Sequence, residues 1–289
     1  MKLKSTLTIA AIATLIACNK NNDTAQPNPG YEPTDHPRRI VEVEPGNDSA
    51  VLEINFTAGG DIANGKAVYY NDGVAVAEGI FDCTYDGVGL LKSMYSTSEN
   101  LATGERERND VVCYTANGVI TGLRSVDSSD KYTRYQKFEY NGSGQLVSKL
   151  PEMDSARFFN TPPDYDYKDS FVYQNQNLVK YISLRYDVLL NSYVESYHET
   201  ITDYDDKPTY LPHSMASYIL FDIERLLSAN NAVAFSFQDV YGNARSINSF
   251  VSYDGKGRPT GFNFTGAGPL YNFYYGLFFA ELKQVKITY

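Results

Sequence analysis

The plan of the chain is set out in one stretch, FVSYDGKGRPTGF at Phe250–Phe262. Apolar and polar residues alternate up to Tyr253, a Gly-rich turn follows, and alternation resumes after Pro259. Alternation with period two is typical of a strand that buries one face, so the stretch predicts a strand, a turn and a second strand. The same plan returns at Phe138–Val147 and, in a weaker form, at Phe171–Val179. We therefore predict a chain of repeated β-hairpins.

Residue pairs that favour tight turns separate further alternating runs. They are Asp72-Gly73, Asn117-Gly118, Asn141-Gly142 and Tyr241-Gly242. Asp-Gly or Asn-Gly between two alternating runs is the strongest short-range signal of a hairpin. Parallel strands would need long crossover connections, and these loops are too short for that, so the sheet is predicted to be antiparallel.

One interval has helical rather than strand periodicity. Its apolar residues recur at helical spacing, at Met215, Ile219, Ile223, Leu226 and Leu227. Ser214 is a suitable N-cap, and Asn230-Asn231 is a suitable stop. We predict one short helix near residues 214–228, packed across one end or face of the sheet.

The predicted fold class is all-β, an antiparallel meander of many hairpins that closes into a soluble barrel or rolled sheet, with this one helix. The chain has 289 residues, of which 43% are hydrophobic, which is enough for one sizeable core. Residues 1–17 are predicted to be a lipoprotein signal peptide, residues 18–38 a flexible tether, and residues 39–289 a single antiparallel β domain.

A strand that spans a membrane within a barrel needs an uninterrupted apolar face of about ten residues. Tyr132–Tyr140 places Arg134 and Gln136 on the face of its aromatic residues. The segment Phe273–Tyr289 is more apolar but carries Glu281, Lys283, Gln284 and Lys286. These polar residues favour a water-soluble barrel on a tether.

The N-terminus predicts export and lipid attachment. Lys2 and Lys4 precede the apolar run Leu7–Ala17, which is typical of a signal peptide and too short to span a membrane. Leu15-Ile16-Ala17-Cys18 resembles the bacterial lipobox, which implies lipidation of the Cys18 thiol and cleavage just before it. Several acyl chains on one terminus anchor a protein stably. The alternative is a chance Leu-x-x-Cys in an ordinary signal peptide.

The charge balance indicates which partners to expect. The formal net charge is −10 and the isoelectric point about 4.8, and so acidic a surface disfavours nucleic acid and anionic lipid. The tether is rich in Asn, Asp and Pro and reaches about 25 Å. We expect membrane contact through Cys18 on the outer membrane, on its periplasmic or its surface face, and no nucleic-acid partner.

Three segments of the C-terminal half resemble a known family. They are Thr202–Pro208, Leu227–Asn231 and Ser252–Pro259, with the predicted helix between the first two. Together they resemble a family of uncharacterised lipoproteins of Bacteroides-type gut bacteria, in which Asn is expected where Lys207 stands. The resemblance implies a porin-like, many-stranded antiparallel barrel with no assigned activity. The hairpin repeats are also similar to the tyrosine-aspartate repeats of secreted bacterial shell proteins.

Two acidic clusters and three histidines are the candidates for metal ligands. The clusters are Asp164, Asp166 and Asp169, and Asp203, Asp205 and Asp206; the histidines are His36, His198 and His213. Neither cluster has the glycine and distal glutamate of a calcium loop, and no pair of histidines has zinc spacing. The clusters therefore indicate solvated turns, and we expect no metal and no cofactor.

Glu195 and Glu199 are the candidates for acid/base chemistry on a sugar. Alternation places both on one face of a strand, beside Tyr193 and Tyr197. Residues four apart along a strand are about 13 Å apart, which exceeds the carboxylate separation in glycosidases. Exposed charges are the favoured interpretation.

Cys83 and Cys113 remain after the anchor cysteine. An exported protein enters an oxidising compartment, where the two could form a disulfide. Both lie in apolar stretches, where a free cysteine packs as a small hydrophobic residue. Both alternatives stay open.

The favoured function is a non-enzymatic cell-envelope lipoprotein whose β domain binds a glycan or a protein. Tyrosine faces can stack on sugars, although the absence of Trp weakens the glycan version. The alternative is a structural or assembly component of an envelope complex. A hydrolase that uses Glu195 or Glu199 ranks last.

Overall fold

A computed structural model describes residues 36–44, 48–127, 133–151, 167–187, 189–211, 214–221, 223–267 and 283–289. Within them the strands are β1 (Arg39–Val43), β2 (Ser49–Phe56), β3 (Ile62–Asn71), β4 (Val74–Tyr85), β5 (Leu91–Asn100), β6 (Arg106–Ala116), β7 (Val119–Asp127), β8 (Thr133–Tyr140), β9 (Leu146–Pro151), β10 (Tyr167–Gln174), β11 (Asn177–Asp187), β12 (Ser192–Pro208), β13 (Asn230–Asp239), β14 (Ala244–Tyr253), β15 (Pro259–Ala267) and β16 (Gln284–Thr288). A helix α1 (Met215–Phe221) and a 3₁₀ turn (Glu224–Leu227) lie between β12 and β13. Cys18, the signal peptide and most of the tether fall outside the described residues.

The described strands form a closed antiparallel barrel. Each strand pairs with its neighbours in sequence, and β1 pairs with β16, with Ile40 opposite Ile287. Closure leaves no strand edge unpaired, which removes a surface prone to aggregation. The predicted antiparallel meander is confirmed, in its barrel form.

The recurrent stretch owes its form to one repeated turn. In Asp254–Arg258 the Asp254 N–H donates to the Arg258 carbonyl, and the Gly257 N–H donates to the Asp254 carbonyl. The Asp254 carboxylate accepts from the N–H groups of Lys256 and Arg258, both at 2.9 Å. Gly257 has φ 77°, the left-handed region that glycine enters without strain. Local residues therefore determine this hairpin.

The same hydrogen bonds recur in three other described turns, Asn141–Gln145, Asp86–Leu90 and Asp239–Asn243, of which the first two follow a tyrosine. The second was not among the predicted repeats, although it has the same Tyr-Asx-x-x-Gly pattern. The tyrosines before the Asp86 and Asn141 turns also form hydrogen bonds. Tyr85 and Tyr140 donate their hydroxyls to the carbonyls of Ile62 and Ile120, at 2.7 and 2.6 Å.

The two ends of the barrel differ. The N-terminal end is where β1 begins at Arg39, and the turns Asp86–Leu90, Asn141–Gln145 and Asp254–Arg258 lie there. The distal end carries the connections that follow the odd-numbered strands, such as Asp72-Gly73 after β3. Asp72 and Gly73 have φ 48° and 78°, which confirms the predicted Asp-Gly hairpin.

The inner and outer walls have opposite character. Most of the buried side chains that point inward are apolar, among them Leu52, Phe138, Phe171, Phe235 and Phe262. The outer wall carries ion pairs between neighbouring residues or strands: Lys66–Glu78 and Arg108–Asp110 at 2.8 Å, and Lys137–Glu139 at 3.3 Å. The hydrophobic core therefore lies in the lumen.

The connection between β12 and β13 folds into the lumen and fills part of it. The Tyr218 ring of α1 packs edge-on against Phe171 of β10, and Phe221 packs edge-on against Phe81 of β4. Since Phe171 and Phe81 face inward from well-separated strands, α1 must lie inside the barrel. No helix among the described residues is long and apolar enough to cross a membrane.

The short helix was predicted correctly, but its continuity was not. It packs against the inner face of the sheet, inside the barrel. Met215, Ala216, Ser217 and Tyr218 are consecutive and all buried, as expected for a helix enclosed on every side. Ile223 has extended backbone (φ −113°, ψ 115°), which separates α1 from the 3₁₀ turn.

Candidate functional site

A cavity of about 670 Å³ lies in the lumen between α1 and the wall formed by β2–β8. Cavities of this size hold drug-sized ligands. A second cavity, beside the 3₁₀ turn, has a volume of only about 50 Å³. The larger cavity is therefore the candidate functional site.

The part of the cavity nearer the N-terminal end is apolar. We call it the apolar floor, formed by Phe81, Met94, Val111, Leu123 and Phe138 of the wall and Leu220 and Phe221 of α1. The five wall residues are at most 8% exposed. Gly65 makes room for the Phe81 ring, because a Cβ at that position would lie 2.5 Å from Phe81 Cζ.

The wall becomes polar toward the distal end. Two positions along each strand from a floor residue, on the same face, stands a polar residue: Ser96 after Met94, Asn109 before Val111, Ser125 after Leu123, and Gln136 before Phe138. We call these four the polar belt. Ser125 Oγ donates to Asn109 Oδ1 at 2.7 Å, which joins β7 to β6 inside the barrel.

Two charged residues, Glu107 and Arg108, also line the cavity. The Arg108 guanidinium is bound by both oxygens of Asp110 and lies 4.8 Å from the centre of the Tyr95 ring, on the outer wall. Glu107 lies on the same face of β6 as Asn109, two positions nearer the distal end, and is exposed. Among the described wall residues, the charged group that faces the cavity is therefore the Glu107 carboxylate, near the distal end.

On the opposite side, α1 is held in place by a buried ion pair. Lys149 Nζ lies 2.9 Å from Asp169 Oδ2, and 5.5 Å from the centre of the Tyr218 ring. The Tyr181 hydroxyl donates to Asp169 Oδ1 at 2.9 Å. Burial raises the pKa of Tyr181 far above its usual value, so its hydroxyl keeps the proton that it donates. These groups are satisfied by one another and support the helix.

The 3₁₀ turn is held by a second buried pair. Arg225 Nη1 donates to Glu199 Oε1, and the guanidinium lies 4.3 Å from the centre of the Phe235 ring. Burial raises the pKa of Glu199, while Arg225 acts in the opposite direction. Glu199 is therefore engaged in holding the turn.

The expectation that Glu195 and Glu199 share one face is wrong. The pairing of β11 with β12 shifts between Ser183–Tyr197 and Leu184–Glu195, which is a β-bulge. A bulge inserts a residue and reverses the alternation. The Glu199 side chain is 1% exposed in the lumen, whereas that of Glu195 is 41% exposed and contacts His198. The two carboxylates are not brought together.

The other candidate residues are scattered. Asp164, Asp166 and His213 lie outside the described residues, and Asp169 is in the buried pair with Lys149. Asp205 accepts hydrogen bonds from the Tyr253 hydroxyl and the Asn231 N–H. No group of His, Cys, Asp and Glu suited to a metal ion occurs in the part of the chain that the structure describes.

Cys83 and Cys113 are both free thiols in the structure. They face the lumen from β4 and β6, and β5 lies between these strands. Two strand spacings amount to about 10 Å, more than the Cα separation that a disulfide spans. Burial raises the pKa of each thiol to about 12.

The polar belt was missed because its residues come from four strands. One signal was present in the sequence. Gln136 alternates with Phe138 and Tyr140 and thus stands on the apolar face of its strand. A polar residue on a buried face marks either a hydrogen-bonding network or a binding site.

Comparison with known proteins gives the fold. No protein family and no curated protein matches the sequence. A porin-like protein from Bacteroides uniformis is similar in structure, with a TM-score of 0.51 and 12% identity over 86% of this chain and 95% of that one. A porin-like protein from Bacteroides vulgatus has a TM-score of 0.38 and 10% identity over 88% and 98%. The chain has a porin-like β-barrel fold.

Proposed function

We propose that the protein is a non-enzymatic binding protein of the bacterial cell envelope, tethered to the outer membrane by lipid on Cys18, and that its barrel binds a ligand in the lumen. The observation that carries the binding function is the cavity with its apolar floor and polar belt. A buried wall with unlike halves provides both affinity and orientation for a small molecule.

The outer wall supports a barrel that stands in water. A membrane-spanning barrel turns an apolar band outward and keeps its interior polar. Here Lys66, Glu78 and Arg108 face outward, while most buried side chains in the lumen are apolar. The lipid on Cys18 is then the attachment to the membrane, with residues 18–38 as the tether.

The position of the cavity inside the barrel favours a small ligand over a folded protein partner. A glycan agrees with the hydroxyl and amide groups of the polar belt, which can both donate and accept hydrogen bonds. The lumen is thus the proposed site for the glycan ligand expected from the sequence.

Filling the cavity tests the binding function. Ser96→Phe places a ring in the polar belt, and Ser93→Phe places the same ring on the outer face of the same strand. The wild-type domain and the Ser93→Phe variant should retain a small molecule from envelope extracts, detected by native mass spectrometry, and Ser96→Phe should lose it. Equal retention by both folded variants, or none by the wild type, would contradict binding in the lumen.

Fractionation tests the anchor separately. Cys18→Ser should release the protein from membranes into the soluble fraction. Protease treatment of intact and permeabilised cells would then show on which face of the outer membrane the domain stands. A Cys18→Ser protein that still sediments with membranes would contradict the lipid anchor.

A further inference from the structure

We propose that the ligand of the lumen is a single-headed amphiphile with an uncharged, hydroxyl-rich head group. Its apolar part lies on the apolar floor against α1, and its head lies at the polar belt. This inference rests on the proposed function, because it specifies the ligand of the same cavity.

The polarity of the cavity wall changes in the same direction on four adjacent strands. On β5, β6, β7 and β8 the inward residue nearer the N-terminal end is apolar, and the next inward residue toward the distal end is polar. The same order on four adjacent strands divides the cavity into two zones. A molecule that is polar all round would bury hydrogen-bonding groups against Met94 and Leu123, which is unfavourable.

The apolar floor surrounds its part of the cavity on more than one side. Its residues come from both the barrel wall and α1, and Phe221 of α1 packs edge-on against Phe81 of the wall. An apolar group in this zone is removed from water on several sides, which gives a favourable free energy in proportion to its area. Met94 is flexible and adapts to apolar groups of different shape.

The side chains of the polar belt indicate the chemistry of the head group. Ser96, Asn109, Ser125 and Gln136 carry only hydroxyls and amides, which donate and accept without charge. Such groups match the hydroxyls of a sugar or polyol. The Ser125 hydroxyl already donates to Asn109, so the amide NH₂ of Asn109 is directed away from that bond and is suited to a ligand oxygen.

The charge of the described lining disfavours an anionic head group. The one cationic residue in the described lining, Arg108, is bound to Asp110 on the outer wall. The described residues of the polar belt would give a carboxylate or phosphate no counter-charge for the hydration that it loses, and Glu107 would repel it from the distal side. A fatty acid therefore binds less well than a neutral amphiphile with the same chain.

The test uses the mature domain and probes of defined structure in isothermal titration calorimetry, below the concentration at which the amphiphiles form micelles. The probes are octyl β-glucoside, glucose and octanoate. Octyl glucoside should bind at least about tenfold more tightly than either of the others. Ser96→Phe should abolish that binding, and Ser93→Phe should leave it unchanged, which shows that the probe occupies the lumen.

A charge exchange tests the head-group zone. Ser96→Lys supplies the counter-charge that the polar belt lacks and should shift the preference toward octanoate, whereas Ser93→Lys on the outer wall should not. Octanoate binding to the wild type as tightly as octyl glucoside would overturn the inference, and so would glucose binding as tightly as octyl glucoside. Failure of all three probes would also overturn it, whereas the retention of a native ligand in the Ser96→Phe experiment decides the proposed function independently.

Discussion

The guanidinium of Arg225 lies inside the barrel between the carboxylate of Glu199 and the ring of Phe235. Arg225 and Glu199 are 9% and 1% exposed. The contact ties the 3₁₀ turn to β12 and β13, so the segment that fills the lumen is attached to the wall by charge as well as by apolar packing.

Removal of one partner of this pair should be much more harmful than removal of both. Arg225→Met leaves the Glu199 carboxylate buried without a partner, and we expect a loss of about 3–5 kcal/mol in the free energy of unfolding. Arg225→Met with Glu199→Met should recover most of that loss. Urea unfolding followed by circular dichroism measures both. Equal stability of Arg225→Met and the wild type would show that the pair does not hold the turn.

A comparison of two isoleucines tests whether the connection is buried in the lumen. Ile223 is 6% exposed beside the 3₁₀ turn, while Ile80 on the outer wall is 42% exposed. Ile223→Asp buries an unpaired charge and should lower the free energy of unfolding by more than about 3 kcal/mol. Ile80→Asp should change it by less than about 1 kcal/mol. Similar melting temperatures for the two variants would place Ile223 in solvent.

The hairpins could be predicted because their turns depend on nearby residues. Asp254 and Gly257 suffice for the turn that joins β14 to β15, and Asp72-Gly73 suffices for the one that joins β3 to β4. Barrel closure depends instead on the pairing of Ile40 with Ile287, which nothing local indicates. The sequence therefore predicted the meander and left a rolled sheet as an alternative.

The site was harder to predict for two physical reasons. The polar belt is formed only when separate strands bring Ser96, Asn109 and Ser125 to the same level of the lumen. A β-bulge changes the direction of every side chain beyond it, which is why Glu195 and Glu199 were assigned to one face. The burial of α1 on all sides removes the one-sided apolar stripe from which its position could have been inferred.

Two glycines in the same turn provide a matched test of the repeated hairpin. Gly257 has φ 77°, whereas Gly255 is not among the residues with positive φ, and a Cβ at either position meets nothing within 4 Å. Gly257→Ala should therefore cost about 1–2 kcal/mol of stability through backbone strain alone. Gly255→Ala should lie within about 0.5 kcal/mol of the wild type. Equal thermal stability of the two variants would contradict the left-handed turn.

Acid should weaken the same turn, because hydrogen bonds from Arg258 and Lys256 lower the pKa of Asp254 below its usual value of 3.8. A carboxyl group whose pKa is lower in the folded state contributes stability above its unfolded pKa, and that contribution is lost as the pH falls through the folded pKa. Asp254→Asn removes the titration, so its melting temperature should fall less than that of the wild type between about pH 5 and pH 2. Identical decreases would show that Asp254 does not contribute to acid sensitivity.

The two lumen cysteines should be free thiols that react only when the barrel opens. Cys83 and Cys113 lie on strands separated by β5, and burial raises the pKa of both to about 12, so little reactive thiolate forms at neutral pH. In a Cys18→Ser protein, we expect negligible reaction with Ellman's reagent in the folded state and two thiols per chain in denaturant. A count of zero in denaturant without reductant would establish a disulfide and contradict the separation of β4 from β6.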